Sequence, residues 1–379
     1  MPYIIQSPEK NFEFTHNKGR CGGPHAISVF GKTLLTMLDC SVNGISDSDL
    51  RAKSSRLYHK AGQTIFESKG DYTNGVSINQ TCRYAGNAVR ITWDINWPKE
   101  TRPTKPVQVG STRLQGKWIS VTTIGRDGVS QTFELKSGLF QVSGNPISML
   151  LTRDDGAVFE YSLGFDLWRW DHAMGQPVAT PLSLDVADDK TMLIHNICDP
   201  TPEEVFPEAR EYRFMAVIAF SAPNMAKTPS IDETVTVPFR QGSEDLNLNG
   251  ISSNSLRIDF KDMPCIENGQ RLTANGRQGI CLEDDHSLSA VKRTIRQIAS
   301  FAQNGTLVLD GLTPGHCIDG SHCEKKKPRE HCDLYSLLSF LAWAKNCLGD
   351  GWTVIVTQPS PWNALPSVAF SYLPLDFEY

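Results

Sequence analysis

Three His-Cys dipeptides, His316-Cys317, His322-Cys323 and His331-Cys332, fall in one stretch, LDGLTPGHCIDGSHCEKKKPREHCDL, running from Leu309 to Leu334. The chain has nine His and ten Cys, so about a third of each is concentrated here. Imidazole and thiolate are preferred ligands of zinc and its soft neighbours, so a metal site is the first chemistry this pattern suggests. A catalytic zinc takes about three protein ligands and keeps one position open. His316 and His322, with His331 or Asp333, could supply them. Asp310 and Glu330 are then candidate bases for activating a bound water. Plainer readings stand beside these. Asp333 opens a helix and suits an N-cap, and Asp310 ends a strand and suits a turn. The three cysteines suit packing or disulfides, and Lys325-Lys326-Lys327 suits a solvated face. No Cys-x2-Cys spacing is present. The cofactor expected is one zinc or another divalent metal. No nucleotide cofactor is expected, because the chain has neither a Gly-x-Gly-x-x-Gly nor a P-loop, and it also lacks a Gly-x-Ser-x-Gly elbow.

A second constellation, Gly164-Phe-Asp-Leu-Trp-Arg-Trp-Asp-His172, mixes stacking groups with charged ones. Sugar rings present apolar faces to aromatics and hydroxyls to carboxylates and guanidinium. Trp168, Arg169 and Trp170 are therefore candidate binding residues, and Asp166, Asp171 and His172 candidate catalytic ones. Trp93 and Trp97 share one face of a strand, as Trp168 and Trp170 do, and join the binding candidates. Against this, large aromatics commonly fill sandwich cores. Glycoside cleavage needs two carboxylates across a cleft, and Asp154, Asp155 and Glu160 are further acids in this region.

Two different units must position these groups. Residues 1–225 read as an antiparallel β-sandwich, with short alternating runs punctuated by Gly, Asn and Asp. The clearest pair is Gly75 to Tyr84 with Val89 to Trp97, joined by Ala85-Gly86-Asn87-Ala88. Tyr212 to Ser221 is almost wholly apolar and reads as a central strand covered on both faces. Residues 226–254 are rich in Pro, Asn, Ser and charge and read as a connection. Residues 255–379 read as a smaller α/β (α+β) domain carrying the His/Cys loop 310–333. Within it, Leu288, Val291, Ile295, Ile298 and Ala302 recur at helical spacing. A strand Thr306 to Leu309 follows, and Leu334, Leu337, Leu338, Leu341, Ala344 and Leu348 stripe a second helix. Thr353 to Thr357 is the next strand. The fold class expected is therefore mixed.

The hairpin SINQTCRYAGNAVRITWDINWP resembles strands of the large sandwiches in carbohydrate-active enzymes, including galactose-mutarotase-like folds. That resemblance implies a sandwich over the first half and carries no catalytic residue. Gly320-Ser321-His322 followed by His331-Cys332-Asp333-Leu334 resembles the zinc D,D-peptidase and hedgehog-type fold. It implies His322 and Asp333 as two ligands. The gap between them is longer than that family's, and no His follows residue 331, so the third ligand would come from His316, His331 or elsewhere.

A formal net charge of −5 gives no basic footprint for nucleic acid. No run reaches a transmembrane length, and MPYIIQSPEKNFEF is too polar for a signal peptide. The chain is expected to be cytoplasmic as given, or a mature exported form; in the latter case Asn79 and Asn304 could carry glycans. The partner expected is a glycan or polysaccharide, with neither nucleic acid nor membrane. Glycan binding with cleavage by hydrolysis or elimination is the first function expected. A zinc hydrolase of peptidoglycan peptide or another amide, targeted by the sandwich, is the second. A non-catalytic glycan-binding or structural protein is the third.

Overall fold

The computed structural model describes residues 2–7, 10–60, 63–124, 130–143, 146, 148–163, 175–176, 182–200, 205–223, 234–237, 255–259, 266–267, 270–271, 273–274, 277–278, 285–310, 333–357, 369–370 and 376–378. They fall into two compact units. The first takes the chain up to Ala222 together with the C-terminal strand Asp376–Glu378. The second takes the remainder from Pro223.

The first unit is an antiparallel sandwich of two sheets, with eleven and nine strands among the described residues. The sequence reason is alternation. Along Ala88–Trp97, Val89, Ile91, Trp93, Ile95 and Trp97 are buried, while Arg90, Thr92, Asp94 and Asn96 alternate with them and are half-exposed. This strand pairs with Ser77–Ala85 from Ser77 opposite Asn96 to Ala85 opposite Ala88, as the hairpin chemistry predicts. Gly86 takes φ 54° in the turn, a value that favours a residue without Cβ. The adjoining strand Arg210–Ser221 is buried without a break from Phe214 to Phe220. It is the central strand expected, flanked by Ala88–Trp97 and Val158–Leu163.

The two sheets meet through aromatic rings. Phe12 and Phe14 of one sheet lie 5.5 and 5.6 Å from Phe220 of the other, and Phe14 lies 4.7 Å from Tyr84. Edge-to-face contacts of this kind are worth about 0.5–1.5 kcal/mol each beyond their burial. Asp376–Glu378 pairs antiparallel with Tyr3–Gln6, so the chain's last described strand closes on its first. The sequence reading assigns those residues to the second domain, because a three-residue strand has no periodicity to show its partner.

In the second unit, Val235–Val237, Ser255–Asp259, Gly305–Asp310 and Trp352–Thr357 form a parallel sheet, with Ala369–Phe370 antiparallel at one edge. Helix α1, Asp285–Phe301, and helix α2, Asp333–Leu348, supply the crossovers. Leu307, Val308 and Leu309 are wholly buried although they point to alternate faces, as a parallel strand covered on both sides requires. The predicted stripes are borne out by buried Val291, Ile295 and Ile298 in α1 and by Leu341, Ala344 and Leu348 in α2. Gly349, at φ 85°, ends α2 and donates its amide to Lys345 O at 2.9 Å. The fold is a large antiparallel β-sandwich followed by a smaller unit with a parallel sheet.

Candidate functional site

Two of the parallel strands end on aspartate. In SLRID and TLVLD the apolar side chains of Leu256, Ile258, Leu307 and Leu309 are buried. Alternation then places Arg257 and Asp259 on the other face of their strand. The register pairs Asp259 with Asp310, and Asp310 in turn with Thr357. Asp259, Asp310 and Thr357 therefore form one row at the carboxyl edge of the sheet, the edge at which open α/β sheets bind ligands. Arg257 donates from Nη1 to Asp310 Oδ2 at 3.2 Å. The side chains are 34% and 15% exposed, so the pair is partly shielded from water and still open to it. One carboxylate of the row is thus fixed in orientation by a guanidinium, with a second on the neighbouring strand.

Asp310 is the sequence candidate that the structure brings to this row. Asp259 and Arg257 are residues that sequence reasoning misses. The signal that could have found them is the repeated strand ending in Asp on either side of a helical crossover.

The remaining candidates divide sharply. Trp93 and Trp97 are 0% and 1% exposed, on the inward face of Ala88–Trp97. Trp97 packs 5.6 Å from Phe206. This corrects the expectation that they offer an open face to a sugar; they fill the core, because period-2 alternation puts them on the same side as Ile91 and Ile95. Trp168, Arg169, Trp170, Asp166, Asp171, His172, His316, His322, His331 and Glu330 lie outside the described residues. Asp333 is the first residue of α2. Among the described residues no group of three or more His, Cys, Asp or Glu is placed to hold a metal. Asp155 sits in an exposed turn held by Arg153 Nε and Nη2 at 2.9 and 2.8 Å. Glu160 is buried, and its Oε1 accepts from Ser148 and Ser162 at 3.0 Å each.

Two buried histidines bridge the sandwich. His195 Nδ1 lies 3.0 Å from Tyr161 Oη, which also donates to Val109 O at 3.2 Å. His16 Nε2 bonds Tyr84 Oη and stacks 3.8 Å from Phe66. Burial pushes both imidazoles down to about 3, so both are neutral near neutral pH. Enclosed in the core, they tie sheet to sheet and have no access to a substrate.

No protein-family profile matches the chain, and no curated relative does. Solved structures do. Slr1438 protein from Synechocystis sp. is 10% identical, with a TM-score of 0.38 over 59% of this chain and 96% of its own. A galactose mutarotase related enzyme from Lactobacillus acidophilus is 6% identical, with a TM-score of 0.34 over 59% and 98%. A glycoside hydrolase family 97 enzyme from Pseudoalteromonas sp., solved with acarbose, is 9% identical, with a TM-score of 0.34 over 94% and 66%. Mutarotase-related and glycoside hydrolase chains are thus among the structures similar to this one. At such identities and scores the fold rests on the strand order and register described above.

Proposed function

We propose that the chain binds a glycan and cleaves it by hydrolysis at the carboxyl edge of the parallel sheet. The observation that carries this reading is the register pairing of Asp259 with Asp310, with Arg257 bonded to the latter. Glycosidic cleavage needs two carboxyl groups flanking the bond, about 5–5.5 Å apart for retention and 6.5–9.5 Å for inversion. Neighbouring strands lie about 4.8 Å apart, which puts paired aspartates near the retaining spacing. Asp310, oriented by Arg257, is the nucleophile in this reading. Asp259 is the acid that protonates the leaving oxygen and then the base that activates water.

The test is a screen of polysaccharides and aryl glycosides for new reducing ends, with Asp259→Asn and Asp310→Asn in parallel. Activity in the native protein that both variants lose supports the reading. Binding without any new reducing end, undisturbed by both substitutions, would establish the non-catalytic alternative instead.

A zinc hydrolase is the second reading. It is supported by sequence order: His316, His322 and His331 all fall between Asp310, the last residue of its strand, and Asp333, the first residue of α2.

A further inference from the structure

In the first unit, Asp39 and Asp47 are 7% and 0% exposed, and the bonds to their side chains come from neutral groups. Asp39 Oδ2 accepts from Ser48 Oγ at 3.1 Å, and Asp47 Oδ1 accepts the Cys40 amide at 3.0 Å. Asp47 Oδ2 is buried, with no hydrogen-bond partner among the described residues. Around Asp47 stand Asp39, Tyr72 and the thiols Cys21, Cys40 and Cys82. Asp49 and His25 face Asp39, and Asp71 faces Cys21. Two carboxylates in such a place cannot both carry charge cheaply. Burial pushes the Asp47 carboxyl well up, and repulsion from Asp39 adds to it.

Asp47 also opens the short 3-10 turn Asp47–Asp49, to which a strap of chain is fastened. Leu50 donates to Asp47 O at 3.0 Å, and Cys21 donates to Leu50 O at 3.1 Å. Ala52 donates to Gly19 O at 2.9 Å, and Arg20 Nη1 to Asp49 O at 2.6 Å. Residues 17–20, Asp49 and Arg51 are exposed while Cys21, Gly22 and Gly23 are buried, so the outer part of the strap is held by a handful of bonds. Segments of that kind open locally at low cost.

We propose that Asp47 is a proton-loaded latch. In its neutral form it seats the Asp47–Asp49 turn and the Gly19–Gly23 strap on the sandwich. When the proton passes to solvent, the carboxylate left behind meets no counter-charge among the described residues, and it is relieved by opening of the turn and strap.

The sign follows from linkage. An acid whose folded-state value is raised contributes stability in full below its unfolded value of about 3.9, and loses it as pH rises through the folded value. Asp47→Asn keeps the shape and stays neutral throughout. The experiment compares native protein and Asp47→Asn from pH 4 to 8, by urea unfolding and by hydrogen-exchange protection of the Cys21 and Leu50 amides. His25, Asp49 and Asp71 are common to both proteins and cancel. The ratio of unfolding constants, native over variant, should rise with pH by up to about tenfold per unit until Asp47 is ionised. The two amides should lose protection in the native protein alone. Parallel pH profiles in the two proteins overturn the latch. Should Asp47→Asn not fold, Asp47→Ser supplies a second neutral variant compared in the same way; parallel profiles there also overturn the latch.

Discussion

Arg257 donates from Nη1 to Asp310 Oδ2 across 3.2 Å, from a strand that ends two residues later in Asp259. The bond crosses from one parallel strand to the next, so the sheet itself sets the orientation of the Asp310 carboxylate. If the row is catalytic, Asp259→Asn and Asp310→Asn each lower kcat by about 10²–10⁴-fold. Arg257→Met lowers kcat less and leaves KM near its native value, because it frees the carboxylate without deleting it. Arg257→Lys restores part of the loss. Steady-state kinetics on any glycan cleaved in the screen provides the measurement, and an unchanged kcat in Asp310→Asn rules the residue out.

Half of this arrangement is legible in the sequence. The strand Gly305–Asp310 announces itself by its apolar run between a helical stripe and a Gly-rich loop, and Asp310 is visible at its end. SLRID reads only as one more alternating strand. What gives Asp259 its place is pairing in register with a strand a whole crossover away, and no local pattern encodes that. The tryptophans show the complementary limit. Alternation tells that Trp93 and Trp97 share a face, but solvent and core faces look alike until the fold brings Phe206, from the segment before Arg210–Ser221, against Trp97.

That placement makes the aromatic candidates separable by stability. Trp93→Ala removes a wholly buried indole and should cost about 3–5 kcal/mol of folding free energy. Urea denaturation measures the cost, and isothermal titration of the folded protein should give the same glycan affinity as the native chain. A weaker affinity at undiminished stability would return Trp93 to the binding surface.

The buried histidines give the sandwich an acid limit. Both imidazoles have folded values of about 3 against about 6.5 in the unfolded chain. A basic group held down in this way contributes stability above 6.5 that is lost as pH falls towards 3, since only the unfolded state takes up protons across that window. Each should steepen the fall by up to about tenfold in the unfolding constant per pH unit. His195→Gln, which can still meet Tyr161, should remove one such share from the acid limb of the urea-unfolding profile, leaving stability above pH 7 little changed. An acid limb equally steep in that variant would show that His195 takes up its proton in the folded state too.

The zinc reading makes its own prediction. Elemental analysis should find about one equivalent of zinc or a similar metal in the native protein. His316→Ala and His322→Ala should each lose it while remaining folded by circular dichroism. Metal absent from the native protein, or retained in both variants, ends that reading and leaves the carboxylate row to act alone.

Helix α2 is anchored to the strand behind it by one cation. Lys345 is 6% exposed, and its Nζ donates to Gly349 O at 3.0 Å, Asp350 O at 3.3 Å and Trp352 O. These carbonyls lie just beyond the helix, so the ammonium ties the following turn and strand to it and complements its negative end. Burial lowers the Lys345 value, with Asp350 opposing it. Lys345→Met keeps the apolar stem and deletes all three donors, which should cost about 1–3 kcal/mol. The loss should appear as about tenfold or more lower hydrogen-exchange protection at the Gly349 and Trp352 amides, whose acceptors Lys345 O and Gly349 O belong to the same turn. Because Trp352 begins the strand that ends beside Asp310, at Thr357, loosening here should also blunt whatever activity the carboxylate row supports. Full activity in a variant with a demonstrably loosened turn would show that the row keeps its geometry without this anchor.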